Sequence, residues 1–212
     1  LAVLLFSNNS NQKDELLPGA ENHPHVFGFS PDDKVIWLGT HQGLYERVNN
    51  KWISTLPAIK SNDIMGLEVD PKKSKTIFIS GHGYVKRSTN SGESWETVQN
   101  GLPENPDAHQ LLMDSINPKH LFTLLASEGD NLYETMDGGE SWSIAGSLPG
   151  TAYSIAISPI DNKSLLVGTE EGLFEYKIVN DKLQGLSLNN EGTYQVLALK
   201  DNVIVMNESG FV

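Results

Sequence analysis

The 212-residue sequence contains no cysteine, and this absence excludes disulfide bridges, thiolate metal sites and cysteine nucleophiles. Arginine is scarce, since Arg47 and Arg87 are the only two. Positive charge is in deficit, with 15 Lys and Arg against 27 Asp and Glu, which gives a net charge of −12. A nucleic-acid-binding protein needs a basic surface to neutralise phosphates, so we predict no nucleic-acid partner. The same deficit argues against electrostatic docking to anionic lipid.

Long apolar runs are also missing. The run at residues 1–6 is too short to span a bilayer, and a polar stretch follows it. We predict that residues 1–20 are the remnant of a signal-peptide apolar region followed by a flexible tether. This predicts a bacterial protein that is exported, either extracellular or associated with the cell envelope. Contact with a membrane is expected only through such an N-terminal anchor.

Sustained helical periodicity is absent too, and in its place the sequence has a repeat. An alternating apolar segment that ends in proline occurs at residues 25–31, 64–71, 111–118 and 153–159, and residues 194–201 form a fifth copy without the proline. The four prolines are 40, 47 and 41 residues apart. This period is close to the ~40–50 residues of one propeller blade.

Each of the four complete copies continues with three further apolar segments separated by turn residues, which is typical of a four-stranded antiparallel sheet. We therefore predict an all-β fold, a β-propeller of four-stranded antiparallel blades over residues 21–212, with four complete repeats and a truncated fifth. The predicted blades span about residues 22–56, 62–100, 107–147, 151–188 and 192–212. Because a propeller closes into a ring to remove exposed strand edges, we expect six or seven blades in the full-length protein. A β-sandwich is the structural alternative, but it does not explain the regular period.

Two turns between third and fourth strands share one pattern, with an Asp or Asn that can accept hydrogen bonds from backbone N–H groups ahead of it. A glycine follows at a position suited to positive φ, and a tryptophan then packs between blades. The residues that carry this pattern are Ser88, Asn90, Gly92 and Trp95 in the first turn, and Thr135, Asp137, Gly139 and Trp142 in the second.

This pattern resembles the Asp-box, or BNR, repeat (S/T-x-D-x-G-x-x-W) of sialidases, the sortilin ectodomain and a photosystem II assembly factor. The resemblance covers about residues 22–212, with one departure at Asn90. It implies a β-propeller in which these turns have a structural role, and it leaves the function open.

Strand order sorts the polar residues between the two ends of the predicted propeller. The Asp-box turns lie at one end, whereas the loops between second and third strands and the links between blades lie at the other. Five of the six histidines, all except His120, fall at this second end, together with several carboxylates. The predicted ligand face comprises His23, His25, His41, Asp63, His82, Asp107, His109, Glu128, Tyr153, Glu170 and Tyr194.

Converging imidazoles and carboxylates are ligands for zinc or another transition metal, and they are also acid–base catalysts. The predicted metal ligands are His23, His25, His41, His82 and His109. The alternative is that these residues are polar side chains at solvated loops. His23 and His25 are two residues apart, which in a regular strand places both on one face.

Three functions compete. The leading prediction is a non-enzymatic recognition or assembly propeller that binds a protein, peptide or glycan on this face. The second is a metal-binding propeller that uses the histidines. The third is a glycoside hydrolase, but the sialidase type needs three arginines to hold a carboxylate, and this sequence has two. No facing carboxylate pair is singled out for another type of glycosidase.

Overall fold

The computed structural model describes residues 22–32, 34–49, 51–54, 59, 62–126, 131–179 and 182–211. The predicted leader and tether, residues 1–20, lie outside this part of the chain. The first three sheets comprise β1 (Pro24–Phe29), β2 (Ile36–Thr40), β3 (Gly43–Val48), β4 (Lys51–Ser54), β5 (Gly66–Val69), β6 (Ile77–Gly81), β7 (Tyr84–Ser88), β8 (Glu96–Thr97), β9 (Ala108–Met113), β10 (Leu121–Leu125), β11 (Asn131–Thr135) and β12 (Ser143–Ser147). The last two comprise β13 (Ala152–Ile157), β14 (Leu165–Thr169), β15 (Gly172–Val179), β16 (Lys182–Ser187), β17 (Thr193–Ala198), β18 (Val203–Asn207) and β19 (Gly210–Phe211).

Each sheet consists of strands that are consecutive in sequence and pair antiparallel with their neighbours. Four sheets have four strands, and the fifth has the three strands β17–β19. The first strands of successive sheets, β1, β5, β9, β13 and β17, also contact one another. They therefore line the axis, with the later strands of each sheet farther out. This arrangement confirms the predicted β-propeller, and the sheets are called blades one to five below.

The core is divided into four apolar clusters, one between each pair of successive blades. Trp37 and Leu44 of blade one pack with Ile77 and Ile79 of blade two. The other three clusters join blades two and three, three and four, and four and five in the same way. Blades two, three and four are therefore packed against a neighbour on both faces, and all five residues of their second strands, β6, β10 and β14, are buried. This double burial explains why the second strands have near-continuous apolar sequences.

The two turns that resemble Asp boxes have matching hydrogen bonds. In blade three, the Thr135 hydroxyl donates to Asp137 Oδ1 at 2.7 Å, and Asp137 Oδ1 accepts from the Ser141 N–H at 3.0 Å. In blade two, Asn90 Oδ1 accepts from the Ser88 hydroxyl at 2.9 Å and from the Ser94 N–H at 3.0 Å. Asparagine thus makes the same acceptor contacts as aspartate, which explains why the departure at this position leaves the turn unchanged.

The glycines and tryptophans of these turns connect neighbouring blades. Gly92 and Gly139 have φ values of 88° and 92°, as predicted for their positions. Trp142 is buried, and its indole N–H donates to the Val98 carbonyl of blade two at 2.8 Å. Trp95 is partly buried against the cluster between blades one and two. Within the described ranges, no helix is long and apolar enough to cross a membrane.

Candidate metal-binding face

Three backbone positions recur near one end of the blades, and side chains from these positions form the candidate site. The first position is the second residue of the inner strand in blades one, three, four and five. The second is the turn between the second and third strands, and the third is the link that leads into the inner strand. All three lie at the end of the propeller opposite the turns that resemble Asp boxes.

The inner-strand position is a β-bulge. In blade one Pro24 pairs with Thr40 and Val26 with Gly39, so His25 is left between two paired residues. The same register shift leaves His109, Tyr153 and Tyr194 unpaired in blades three, four and five. A bulge inserts one extra residue and redirects its side chain out of the regular alternation. Four of the predicted face residues therefore lie at the same kind of β-bulge.

The turn position is held rigidly by a threonine in two blades. The Thr40 hydroxyl donates to the Gly43 carbonyl at 3.0 Å and accepts from the Gln42 N–H at 3.1 Å, which fixes the turn that carries His41. Thr169 makes the same two contacts in blade four, around Glu170. His82 holds the corresponding position in blade two, where it forms an isolated antiparallel bridge with Asp107.

The first group of ligand atoms joins blades one and two. His41 Nδ1 lies 2.8 Å from Asp63 Oδ2, and His25 Nε2 lies 3.2 Å from Asp63 Oδ1. The two imidazole rings are in edge contact, with their centroids 4.4 Å apart. One donor atom from each of His25, His41 and Asp63 can be chosen so that all three lie within 4.8 Å of one another. We call this set the blade-one group.

The second group joins blades two and three. His82 Nδ1 lies 2.5 Å from Asp107 Oδ1, and His109 Nε2 lies 3.0 Å from the same oxygen. Donor atoms of His82, Asp107 and His109 also lie within 4.8 Å of one another. We call this set the blade-three group. Each group thus offers two imidazoles and one carboxylate, a donor set that suits zinc with an open coordination position, or iron(II).

Asp63 is the carboxylate on which most of these contacts converge. Besides His25 and His41, His82 Nε2 lies 3.4 Å from Asp63 Oδ2. The backbone of Asp63 is fixed as well, because the buried Tyr84 hydroxyl donates to its carbonyl at 2.7 Å. A side chain at Gly81 would meet that carbonyl at 2.0 Å, so this close approach requires glycine. The carboxylate is therefore positioned by an aromatic residue and a glycine of blade two.

The electrostatics of the face favour neutral imidazole at one ligand. Burial lowers the pKa of His25 below its ordinary value, and this effect outweighs the opposing charge of Asp63. A metal binds the neutral form of histidine, so the lowered pKa leaves this imidazole ready to coordinate. Asp63 Oδ1 and His109 Nε2 are buried atoms that make no hydrogen bond, although each lies within ion-pair distance of a partner. The Asp63 carboxylate therefore has lone pairs available to a ligand, and His109 Nε2 has one in the tautomer protonated at Nδ1.

Blades four and five use the same positions for different side chains. Tyr153 and Tyr194 occupy the bulges, their rings are 5.5 Å apart, and both are exposed. Glu170 accepts a hydrogen bond from the Thr151 N–H at 3.0 Å, and the Tyr194 hydroxyl lies 3.5 Å from Glu208 Oε1. At these positions, blades four and five therefore have contacts among tyrosine and glutamate side chains, where blades one to three have contacts between histidine and aspartate.

The structure brings together most of the residues predicted for this face. His25 and His41 meet at Asp63, His82 and His109 meet at Asp107, and Tyr153 meets Tyr194. His23 belongs to neither three-residue group, although its ring contacts that of His41 with centroids 5.1 Å apart. Glu128 lies outside the described residues. Asp63 and Asp107 were predicted only as face residues, whereas the structure makes each the centre of a histidine group.

The arrangement of His23 and His25 differs from the regular strand assumed in the sequence analysis. β1 begins at Pro24, so His23 lies before the strand, where its φ is +32°, and His25 lies in the bulge. The regular alternation of a strand therefore does not determine the directions of these two side chains. His120 lies at the opposite end of blade three, where it pairs with Glu134 at 3.0 Å beside a cavity of about 420 Å³. The bulge residues His25, His109, Tyr153 and Tyr194 each lie two positions after a link residue, namely His23, Asp107, Thr151 and Gly192. This spacing was the sequence signal that could have revealed the shared positions.

The two arginines lie away from this face. Arg47 is on β3, stacked over Trp52 at 5.9 Å. Arg87 is on β7 and bonds to Glu96, to Glu140 and to the Gly138 carbonyl, beside the turns at the other end. Neither arginine can hold a substrate carboxylate at the histidine–aspartate face.

No protein-family model and no curated protein matches the chain. Among solved structures, the extracellular domain of the one component system BT4673 from B. thetaiotaomicron is similar with a TM-score of 0.71 and 20% identity, over 94% of this chain and 28% of that one. The GH74 enzyme of Niastella koreensis gives a TM-score of 0.65 and 18% identity, over 86% and 33% of the two chains. YCF48 bound to D1 peptide gives 0.63 and 16%, over 88% and 60%.

These structural neighbours are β-propellers, and at such low identity the likeness concerns the fold alone. The chain spans between about a quarter and a third of the length of the BT4673 and GH74 proteins.

Proposed function

We propose that this chain is part of an exported β-propeller that binds a divalent transition-metal ion on the face opposite its Asp-box turns. The observation that carries the proposal is the presence of two neighbouring groups of two histidines and one aspartate. Imidazole and carboxylate together suit zinc, copper, nickel and iron. Because the ligands of each group come from two neighbouring blades, a bound ion would also join those blades to one another.

The proposed export and Asp-box identity have separate support. Two solved structures of the BT4673 propeller, which resembles this chain, are described as those of an extracellular domain, and this supports the proposed export. The paired hydrogen bonds of Asn90 and Asp137, with a glycine of positive φ and a tryptophan after each, support the assignment of both turns to the Asp-box class.

The test is a titration of the tag-free, chelator-treated chain with Zn²⁺, Cu²⁺ and Co²⁺ in a calorimeter. We expect binding in the order Cu²⁺ > Zn²⁺ and Cu²⁺ > Co²⁺, because this is the general order for nitrogen and oxygen ligands. His41→Ala is expected to weaken binding, and His120→Ala is the matched control because His120 lies at the other end. Absence of binding by all three ions, or equal effects of the two substitutions, would refute the proposal.

A second candidate function, recognition of a protein, peptide or glycan, is favoured by one observation. Tyr153 and Tyr194 form an exposed aromatic pair next to the histidine groups, with exposed fractions of 38% and 41%. Exposed tyrosines supply rigid, amphipathic contact area to a ligand. YCF48, which has a similar fold, is seen with D1 peptide bound.

Glycan and peptide arrays with the chain and its Tyr153→Ala/Tyr194→Ala variant test this candidate. A ligand that the variant loses supports recognition at the tyrosine pair, and a ligand that both proteins bind equally argues against it. The glycosidase alternative rests on the resemblance to sialidases and on the fold shared with the GH74 enzymes. The described carboxylates at these positions, Asp63, Asp107, Glu170 and Glu208, all contact histidine, backbone N–H or tyrosine groups.

A further inference from the structure

The two histidine–aspartate groups are separate and equivalent in composition. The blade-one group and the blade-three group share no residue, and each has a bulge histidine, a turn histidine and a link aspartate. In the blade-one group the aspartate comes from the next blade, whereas in the blade-three group the turn histidine comes from the previous blade. Each group is therefore held across one boundary between blades, and neither needs the other to supply its three donors.

The two groups are also in direct contact. The ring of His82 lies between the two carboxylates, with Nδ1 2.5 Å from Asp107 and Nε2 3.4 Å from Asp63. Its other neighbour is His109, whose ring centroid is 5.1 Å away. Both nitrogens of His82 are thus directed at carboxylates that belong to different groups. An imidazole in this position can coordinate one ion while its second nitrogen bonds to the ligand of another.

One donor atom in each group lacks a hydrogen bond. Asp63 Oδ1 in the blade-one group and His109 Nε2 in the blade-three group are buried atoms without a hydrogen-bond partner. A buried polar atom without such a partner carries a desolvation cost, which coordination to a cation would offset. Four buried side-chain atoms of the described residues lack a partner; two of them lie one in each group, and the other two are Ser80 Oγ and Trp95 Nε1.

We propose that this face binds two divalent transition-metal ions side by side, one at His25, His41 and Asp63 and the other at His82, Asp107 and His109. The inference rests on the proposed metal-binding function and goes beyond it in the number of ions and in the assignment of ligands. Three protein donors leave at least one coordination position of each ion open to water or to an added anion. The two carboxylates contribute a charge of −2 against +4 from the ions, so the loaded face is electropositive within an acidic protein.

Stepwise binding follows from this charge balance. The first ion lowers the affinity of the adjacent site for the second, because two like charges at short distance repel. We expect two resolved affinities for Zn²⁺, with the second weaker.

The decisive experiment counts ions in single-group variants of the full, tag-free chain. The proteins are loaded with Zn²⁺, dialysed, and analysed by inductively coupled plasma mass spectrometry, with circular dichroism as the check on folding. We expect two ions in the unaltered chain and in His120→Ala, one in His41→Ala, one in His109→Ala, and none in the double variant. His25→Gln and His82→Gln serve as second variants if either alanine variant fails to fold.

Electron paramagnetic resonance of the Cu²⁺-loaded chain supplies an independent readout. Two adjacent Cu²⁺ ions broaden each other's spectra and reduce the integrated signal per ion, and His109→Ala should restore an isolated-ion spectrum. A single ion that both His41→Ala and His109→Ala remove would mean one shared centre, which overturns this inference but leaves the proposed metal binding intact. Absence of any bound ion would overturn both.

Discussion

Blades one to three and blades four and five present side chains from the same backbone positions but carry different chemistry there. In blades one to three the link, bulge and turn positions carry histidines and aspartates: His23, His25 and His41 in blade one, Asp63 and His82 at the link and turn of blade two, and Asp107 and His109 at the link and bulge of blade three. In blades four and five the bulge carries a tyrosine and the turn a glutamate: Tyr153 and Glu170 after the link residue Thr151, and Tyr194 and Glu208 after the link residue Gly192. The difference shows that the propeller supplies a repeated scaffold, on which a few substitutions change the chemical groups that each set of blades presents.

The comparison also separates two kinds of carboxylate. In blades one to three, aspartates contact several histidines each. In blades four and five, glutamates contact a backbone N–H or a tyrosine. Only the first arrangement places nitrogen and oxygen donors close enough together to share one ion.

The largest effect is expected from Asp63→Asn, which keeps the shape of the side chain but removes the charge on which three histidines converge. Loss of a direct ligand should exceed the ~10–100-fold cost of losing a partner that only supports a ligand, so we expect Zn²⁺ affinity at the blade-one group to fall more than about 100-fold. Calorimetric titration measures this change. Glu170→Gln is the matched control in blade four, and an equal loss in that variant would erase the contrast between the two sectors.

Transfer of the blade-three chemistry to blade four is the reciprocal test. Ala126→His, Thr151→Asp and Tyr153→His together place a histidine at the turn of blade three, and an aspartate and a histidine at the link and bulge of blade four, as in the blade-three group. If the backbone positions are equivalent, the triple variant should bind one more Zn²⁺ than the unaltered chain, measured by mass spectrometry after dialysis. Tyr153→His alone is the control and should add none. An unchanged count in the triple variant would show that side-chain identity is insufficient without the particular link geometry of blades two and three.

The fold could be predicted from the sequence because each blade repeats the same apolar segments and turns. The second strands are buried on both faces, so their apolar runs are long and easily recognised, as in β10 and β14. Gly92 and Gly139 could be assigned to positive φ because the turn pattern around them is local. These features depend on residues near in sequence, where spacing is informative.

The histidine face could be predicted only as a collection of residues. Asp63 and Asp107 are 44 residues apart in sequence, and their connection through His82 depends on how far each blade is rotated from the next. The bulges could not be located either, because one extra residue in a short strand leaves no distinct mark in the apolar pattern. The alternation expected for His23 and His25 failed for this reason.

A smaller effect, on stability, is expected from substitution of Glu68 in β5. Its carboxyl accepts a hydrogen bond from the Met113 N–H, whereas the Asp63 carboxylate contacts histidines. The residue Glu68 is partly exposed, but its carboxyl is surrounded by protein atoms. Desolvation of the carboxyl raises the pKa of Glu68 to about 8. Because the pKa of Glu68 is higher in the folded chain than the value of about 4.5 in the unfolded chain, its contribution to the free energy of unfolding is fully present below pH 4.5 and is lost as the pH rises towards 8.

Glu68→Gln, which resembles the protonated acid, should therefore raise the free energy of unfolding at pH 8 by about 1 kcal/mol or more and leave it nearly unchanged at pH 4. Urea denaturation at the two pH values measures the difference. A variant that is less stable than the unaltered chain at pH 8 would mean that the glutamate is ionised and bound to a cation in solution.

The smallest effect is expected at the end of the propeller opposite the histidines, where blades two and three already provide a natural comparison. Hydrogen bonds from Ser141 and Thr135 lower the pKa of Asp137 to about 2, whereas Asn90 makes the corresponding contacts in blade two without a charge. The contribution of Asp137 is therefore present above about pH 4 and is lost as pH falls towards 2. Because this side chain is only partly buried, solvent screening keeps the contribution below about 1 kcal/mol. Asp137→Asn should cost less than this at pH 7 and nothing at pH 2, measured by thermal unfolding, while Zn²⁺ binding at the other end stays unchanged. A loss of bound zinc in this variant would show that the two ends of the blade are coupled, and the face could no longer be treated as a site independent of the turns.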